Sequence, residues 1–351
     1  MMNFINTIKK VAGIFTLTLT AFTGVMLLAT NTYADADTEL ICKAPMTTNA
    51  LDLRTLGITL SSAIPIGTVV YQGEMKVDVQ CGINFLDYRD GLTGEVYFKR
   101  LNIAEGSLGY GLTLYLGYGG EYSNEAGNIP TGQMVSTYAG ITGGGILNNY
   151  TEFSLTVPFK IVRTSSSLTP ITRTTLSMFR VGSLVTGSDE QYVATNLRNN
   201  AITVKDETCS VAGNVTQQVP LGSYSLSKSG GLGAGVGQTS KLVSFDVQLN
   251  CESLLSGTFD VLMQFDGDAV SGLADSGVVA LNSSSTARGV GVQILNESQH
   301  PIPLAVPFTV ASYPISAALI NVPLYARYYQ TAETVGPGSA NAVATYTLSY
   351  Q

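Results

Sequence analysis

The stretch "ATYTLSYQ", residues 344–351, is the part of the sequence that decides the fold class. Its apolar side chains occupy every second position, at Ala344, Tyr346, Leu348 and Tyr350, with polar residues between them. Alternation with a period of two predicts a half-buried β-strand. Neither a turn nor a partner strand follows in the sequence, so we expect a segment of another chain to pair with this strand.

The same alternation recurs along the chain, whereas helical periodicity is nearly absent. Apolar residues alternate with polar ones through 153–161, 112–116, 243–251 and 259–265, and clusters of Gly, Asn, Asp and Ser separate these runs. Pro158 lies within the first of them, which favours an edge strand or a bulge there. Many short strands joined by turns predict an all-β sandwich or barrel.

Residues 1–36 predict a secretory signal peptide rather than part of the fold. Lys9 and Lys10 precede an apolar run, and the small residues Ala34 and Ala36 supply a cleavage site after either position. A transmembrane anchor is the alternative, although Thr and Gly dilute the apolar run. We therefore expect an exported, soluble protein.

The charge of the chain argues against a nucleic-acid partner. The whole sequence carries a formal charge of −7, and cleavage after Ala34 would remove Lys9 and Lys10 but no acidic residue, which gives −9. Phosphate contacts need clustered Lys and Arg, and no such cluster is visible in the sequence.

Cysteine spacing suggests two domains, each with its own disulfide. Cys42 and Cys81 are 39 residues apart, and Cys209 and Cys251 are 42 apart. These spacings favour the pairs Cys42–Cys81 and Cys209–Cys251, although four cysteines allow three connectivities. The length also suggests two domains.

The boundary between the two domains is predicted near residue 205. The segment "NNAITV" (199–204) predicts the closing strand of the first domain, and the polar segment "KDET" follows it. We therefore place a first domain at 37–204, a linker at 205–208 and a second domain at 209–351.

Residues for catalysis or metal binding are scarce, so we do not expect an enzyme, a cofactor or a metal. His300 is the single histidine and is predicted to lie in an exposed loop, away from any catalytic triad. Asp266 and Asp268 could hold calcium, but an ordinary turn explains them as well. The glycine run at 230–237 lacks the lysine of a phosphate-binding loop and is predicted to be a plain loop.

Residues 209–351 resemble a pilin domain of the chaperone–usher family of fimbriae. The resemblance is carried by the spacing of Cys209 and Cys251, by the penultimate aromatic Tyr350, by Gly338, and by the terminal strand "ATYTLSYQ". It implies an immunoglobulin-like sandwich that lacks its seventh strand.

This resemblance also implies the partners of the second domain. A periplasmic chaperone would donate the missing strand, and at the outer-membrane usher the N-terminal strand of the adjacent fimbrial subunit would replace it. Gly338, Tyr346, Leu348 and Tyr350 are the predicted chaperone- and subunit-binding residues.

The first domain resembles, more distantly, the lectin domain of the mannose-binding type 1 fimbrial adhesin. The resemblance implies an elongated β-barrel or sandwich, a place at the fimbrial tip on the bacterial surface, and a host glycan as receptor. It rests on the cysteine interval and on "SMFRVGSLVTGSDEQYV" (177–193). The predicted receptor-binding residues are Asn84, Asp87, Asp90, Asp189 and Tyr192, together with Tyr118, Tyr122 and Asn124 from the Gly-rich loop 117–132.

The sequence is also compatible with other functions. The tip subunit could bind a protein or an abiotic surface instead of a glycan, or it could initiate the fimbria without binding anything. The short linker also suggests that contact between the two domains biases the receptor pocket between affinity states.

Overall fold

The structure is a computed structural model that describes residues 40–43, 49–83, 93–136, 151–184, 191–197, 201–205 and 208–351. The predicted signal peptide lies outside these residues. The described chain consists of β-strands and loops with one 3-10 turn at Leu53–Thr55, so the all-β prediction is confirmed.

Eleven of the strands in the described residues precede residue 206. They are β1 Leu40–Lys43, β2 Asn49–Asp52, β3 Ile58–Ser61, β4 Val69–Ile83, β5 Thr93–Arg100, β6 Leu112–Leu116, β7 Gly127–Ser136, β8 Thr151–Arg163, β9 Thr175–Gly182, β10 Gln191–Asn196 and β11 Ile202–Lys205. They form three sheets, in the strand orders β1-β4-β8-β6, β2-β10-β9-β5-β7 and β11-β3.

Eight strands follow residue 207. They are β12 Cys209–Val211, β13 Val243–Cys251, β14 Asp260–Asp266, β15 Val278–Val279, β16 Val290–Leu295, β17 Phe308–Ser312, β18 Leu319–Gln330 and β19 Thr345–Tyr350. They form a five-stranded sheet, β12-β13-β18-β16-β15, and a three-stranded sheet, β17-β14-β19. Among the described strands no sheet crosses residues 206–207, which fits the predicted boundary; the exact domain limits stay a prediction.

Alternating burial along the predicted strands explains how the two sandwiches form. In β14, for example, Val261, Met263 and Phe265 are buried and the residues between them are half-exposed. The buried faces of facing sheets pack together, and this burial is the main favourable contribution to stability.

Pro158 lies inside β8, which pairs with β4 on one side and β6 on the other. The Pro158 carbonyl accepts a hydrogen bond of 2.8 Å from the Gly117 N–H, just past the end of β6 at Leu116. In an antiparallel ladder the nitrogen and the carbonyl of one residue point to the same side. The proline nitrogen therefore points towards the β6 side, beyond the last residue of β6. Its missing N–H thus removes no hydrogen bond from the sheet.

Both predicted disulfides are confirmed. Cys42 is bonded to Cys81 and Cys209 to Cys251. Each pair is also a directly opposed cross-strand pair, in the β1–β4 ladder and in the β12–β13 ladder respectively. Each disulfide thus fixes a short edge strand, of four and three residues, onto a long neighbour.

Backbone and side-chain contacts join the two halves at β3. Ser256 donates its N–H to the Thr59 carbonyl (2.9 Å), and the Thr59 N–H donates to Ser256 Oγ (3.2 Å). Next to them, Thr208 Oγ1 donates to Ser61 Oγ at 3.1 Å. The junction is therefore held by specific polar contacts in addition to apolar packing.

Arg163 closes the same junction from the first half. Its side chain is 1% exposed, and Nη1 donates to the Ser61 carbonyl at 2.6 Å. Burial lowers the pKa of this guanidinium. The bond fixes the end of β3 where Thr208 docks.

Within the described residues, the chain has no helix long and apolar enough to cross a membrane.

Two glycines in one loop give a matched test of close packing. Gly106 and Gly111 share a left-handed backbone, with φ of +67° and +69°. A Cβ at Gly106 would meet open space, whereas one at Gly111 would lie 2.2 Å from the Ser165 carbonyl oxygen. We expect Gly106→Ala to destabilise the protein by about 1 kcal/mol through backbone strain alone.

Gly111→Ala should cost about 1–3 kcal/mol beyond that, because the backbone around Ser165 must move. Urea unfolding of both variants measures the difference. Equal losses of stability in the two variants would contradict the close contact at Gly111.

Candidate functional site

Two edge strands define the candidate site in the second half. β19 pairs with β14 through Tyr350↔Val261 to Thr345↔Asp266 and has no further neighbour among the described strands. β12 pairs with β13 and is likewise the edge of its own sheet. Edge strands present unpaired N–H and C=O groups, which favour the addition of another strand.

The side chains of β19 divide into two faces as the sequence predicted. Tyr346, Leu348 and Tyr350 are half-buried and pack on the core, while the residues between them are exposed. Tyr346 lies edge-on to Phe265, with ring centroids 6.0 Å apart, and Tyr350 lies edge-on to Phe259 at 6.4 Å. Three predicted partner-binding residues thus line the apolar face beside the open edge.

Gly338, the fourth predicted residue, lies before β19 rather than on it. A Cβ here would approach Thr286 Oγ1 to 2.4 Å and the Ala287 nitrogen to 2.5 Å. Only glycine fits this crossing of two segments. The structure therefore gives Gly338 a packing role; binding of a chaperone or subunit by Gly338 stays a prediction.

An aromatic pair underlies the Tyr350 end of the edge. Tyr313 is 4% exposed and stacks on Phe259 with a centroid separation of 4.2 Å. Its hydroxyl donates to the Thr208 carbonyl at 3.3 Å. Burial, aided by the nearby Tyr350 and Glu252, raises the pKa of Tyr313 to about 12.

The predicted loop residues of the first half have different environments. The Tyr118 ring stacks on the buried Phe98, with centroids 4.6 Å apart. Asn124 donates its side-chain amide to the Ile103 carbonyl (3.0 Å) and accepts the Ile103 N–H on its own carbonyl (2.7 Å). Tyr118 and Asn124 therefore anchor their loop to the fold, and among the described residues no hydrogen bond or ring contact joins either of them to Tyr122.

Tyr122 instead joins a surface cluster on the sheet β1-β4-β8-β6. The Lys160 ammonium lies 4.9 Å from the Tyr122 ring centroid and 5.6 Å from that of Tyr115. Gln72 donates its amide to the Tyr122 hydroxyl at 3.4 Å. We call Gln72, Tyr115, Tyr122 and Lys160 the tyrosine–lysine cluster; it offers a cation, an amide and two aromatic rings at the surface.

Register explains why three strands supply this cluster. Lys160 of β8 is the direct partner of Gln72 on β4 and of Tyr115 on β6, so the three side chains share one face. Sequence analysis missed Gln72, Tyr115 and Lys160, because these residues lie on three strands outside the loop that carries Tyr122. The available signal was the alternation of β4 and β8, which identifies their outward residues but not their pairing.

Several predicted receptor-binding residues lie outside the described residues: Asn84, Asp87, Asp90 and Asp189. Tyr192 lies on β10, opposite Arg180 of β9. The receptor-binding role of all these residues stays a prediction.

Other candidates from the sequence have structural places. His300 is exposed, as predicted, and its backbone N–H donates to Asn296 Oδ1 at 2.9 Å. Asp266 accepts a hydrogen bond of 2.7 Å from the Gln264 amide. In the part of the chain that the structure describes, no three His, Cys, Asp or Glu side chains group in a way that could hold a metal ion.

Comparison with known proteins places the chain in a family. A family model described as "Fimbrial protein" matches residues 196–351. The S-fimbrial protein subunit SfaG of Escherichia coli O6:K15:H31 is 32% identical over 150 residues, which cover 42% of this chain and 79% of that protein. The architecture and these matches define a fimbrial subunit, and the chain belongs to the fimbrial protein family.

An adhesin is also among the relatives. The fimbria adhesin protein of Klebsiella pneumoniae is 26% identical over 181 residues, which cover 48% of this chain and 55% of the adhesin. The chain therefore spans little more than half the length of that relative. The predicted resemblance to fimbrial adhesins is confirmed.

Among solved structures, the match to the CupB6 tip adhesin from Pseudomonas aeruginosa covers 88% of this chain and 94% of that chain, with 15% identity and a TM-score of 0.36.

The buried Tyr313 predicts a loss of stability in alkali. Its pKa in the folded protein lies above the ordinary value near 10, so the contribution of the protonated hydroxyl is complete below pH 10. This contribution is lost as the pH rises from about 10 to about 12, by an amount on the order of 2 kcal/mol. Tyr313→Phe should flatten the pH dependence of urea unfolding in this range.

Tyr224→Phe is the control, because the Tyr224 side chain is 36% exposed. If the tyrosine 313 variant kept the full alkaline dependence, another group would be its origin.

Proposed function

We propose that this protein is a fimbrial tip adhesin, with residues 37–204 binding a host glycan and residues 209–351 joining it to the fimbria. One observation carries the proposal: the fimbrial family match begins at residue 196, yet ten of the described strands begin before that residue. Together with β11 they form three sheets of their own. A subunit that only links its neighbours needs a short strand in that place. A folded unit there favours a terminal position and a separate binding task.

The second half would accept a strand from the adjacent subunit between β19 and β12. Both are edges of their sheets, and Tyr346, Leu348 and Tyr350 line the apolar face next to them. An added strand would bond its backbone to both edges and place alternate side chains on the core. A periplasmic chaperone would supply that strand first, and the exchange for the neighbouring subunit would follow at the outer-membrane usher.

The protein would then travel through the periplasm to the tip of a fimbria on the cell surface. Adhesion there needs a ligand and no chemical reaction, so the function proposed is binding and not catalysis.

The tyrosine–lysine cluster supports a glycan as the ligand. Sugar rings stack on aromatic faces, and their hydroxyls take hydrogen bonds from ammonium and amide groups. Tyr115 and Tyr122 supply rings, while Lys160 and Gln72 supply donors, all from one sheet face or its adjoining loop. A sheet holds such groups more rigidly than a mobile loop would.

A glycan array with the full-length mature protein, completed by its chaperone, tests the proposal. We expect reproducible binding to one glycan family. Lys160→Met should weaken it about tenfold or more, because the variant keeps the aliphatic stem and loses the charged donor.

Lys76→Met is the matched control. Lys76 lies on β4 four residues after Gln72, on the same exposed face, and the cation–π contacts to both rings come from Lys160. Equal weakening by both lysine variants would indicate a general charge effect.

A receptor pocket at Asp189, as predicted from the sequence, would give a different result. If Asp189→Ala abolishes binding and Lys160→Met does not, the receptor site lies at the 181–192 segment. If the folded protein binds no glycan, the receptor is a protein or an abiotic surface, and the glycan proposal is wrong.

A further inference from the structure

The hydroxyl of Tyr350 connects the two open edges of the second half. The Cys209 N–H donates to Tyr350 Oη at 3.3 Å, and Tyr350 Oη lies 3.3 Å from the Cys209 carbonyl oxygen, to which it donates its own proton. Tyr350 belongs to β19 and Cys209 to β12, so one side chain spans the space between the edges of two different sheets.

The hydrogen-bond pattern between β12 and β13 shows that the Tyr350 hydroxyl binds backbone groups on the open side of β12. Glu252 donates its N–H to the Thr208 carbonyl, and Ala212 donates its N–H to the Gln248 carbonyl. Residues 208 and 212 therefore face β13. Because orientation alternates in an antiparallel ladder, Cys209 and Val211 face away from β13, towards the open side.

Thus the backbone groups of Cys209 are the first that an added strand would pair with on β12. A single hydroxyl, which can donate one bond and accept another, occupies both the donor and the acceptor of Cys209. A buried or half-buried edge with unmet hydrogen bonds is costly, and Cys209 itself is 7% exposed.

We propose that Tyr350 is a placeholder for the partner strand: its hydroxyl holds the N–H and C=O of Cys209 until an added strand takes them over. The inference rests on the proposed completion of the second half by a strand from another subunit. The ring would remain on Phe259 and tilt away from Cys209 when the strand enters. Tyr350 is then a positioning residue that stabilises the uncompleted unit and opposes entry of the strand at the Cys209 end.

Tyr346 provides a matched comparison. It lies on the same face of β19, is also half-buried and also packs edge-on against a phenylalanine, Phe265. Among the described residues, however, its hydroxyl makes no hydrogen bond. Phenylalanine at either position keeps the ring, so the two variants differ in the bonds to Cys209.

The first experiment is amide hydrogen exchange at Cys209 in the full chain alone. We expect Tyr350→Phe to accelerate exchange about tenfold, and Tyr346→Phe to leave it unchanged. Unchanged exchange in the tyrosine 350 variant would show that the hydroxyl does not hold the Cys209 amide and would overturn the proposal.

The second experiment measures binding of a labelled peptide of alternating valine and threonine, about twelve residues long. A placeholder stabilises only the uncompleted state, so its loss should tighten peptide binding about five- to tenfold in Tyr350→Phe and not in Tyr346→Phe. In the peptide complex, Cys209 exchange should be equally slow in all three proteins.

The failures of the two ideas are distinguishable. If the wild-type chain and both variants take up no strand from any donor, the proposed strand completion fails and the placeholder with it. If the wild-type chain takes up the strand but Tyr350→Phe binds it equally or more weakly, the placeholder alone is wrong, because the hydroxyl then serves the completed state as well.

Discussion

Backbone groups at a sheet edge need hydrogen-bond partners, and this requirement governs the second half of the protein. The sheet β17-β14-β19 ends at β19, and the sheet β12-β13-β18-β16-β15 begins at β12. The disulfide Cys209–Cys251 fixes β12 in register with β13, so the edge keeps a defined geometry. A defined edge with unmet bonds is a template for one added strand, whereas a mobile edge would pair without selectivity.

Burial and edge pairing are linked because the same residues serve both. Phe259 stacks on Tyr313 and meets Tyr350 edge-on. The Tyr313 hydroxyl donates to the Thr208 carbonyl, one residue before β12. Thr208 in turn bonds to Ser61 of the first half. Apolar packing therefore places the polar groups at the edge, and the edge lies next to the junction.

The sequence predicted local features well and long-range pairing poorly. Alternation placed β8, β13, β14 and β19, and spacing placed both disulfides, because period two and loop length are properties of nearby residues. The tyrosine–lysine cluster depends on Gln72 and Lys160, which are 88 residues apart and meet only through the β4–β8 register. The register between two strands depends on the whole sheet, so the hydrophobic pattern of one strand does not predict which residues it pairs with.

Tyr346 and Tyr350 show the same limit at the scale of one strand. The alternation that placed both on one face assigns them the same role, and both do contact a phenylalanine. They differ only in what lies beyond the ring, since Cys209 of another sheet faces Tyr350. The role of a hydroxyl at a half-buried edge depends on the polar groups that face it. Which groups face it is determined by how the two sheets pack together. The residue's specific role therefore follows from tertiary structure, while its place on the strand follows from sequence.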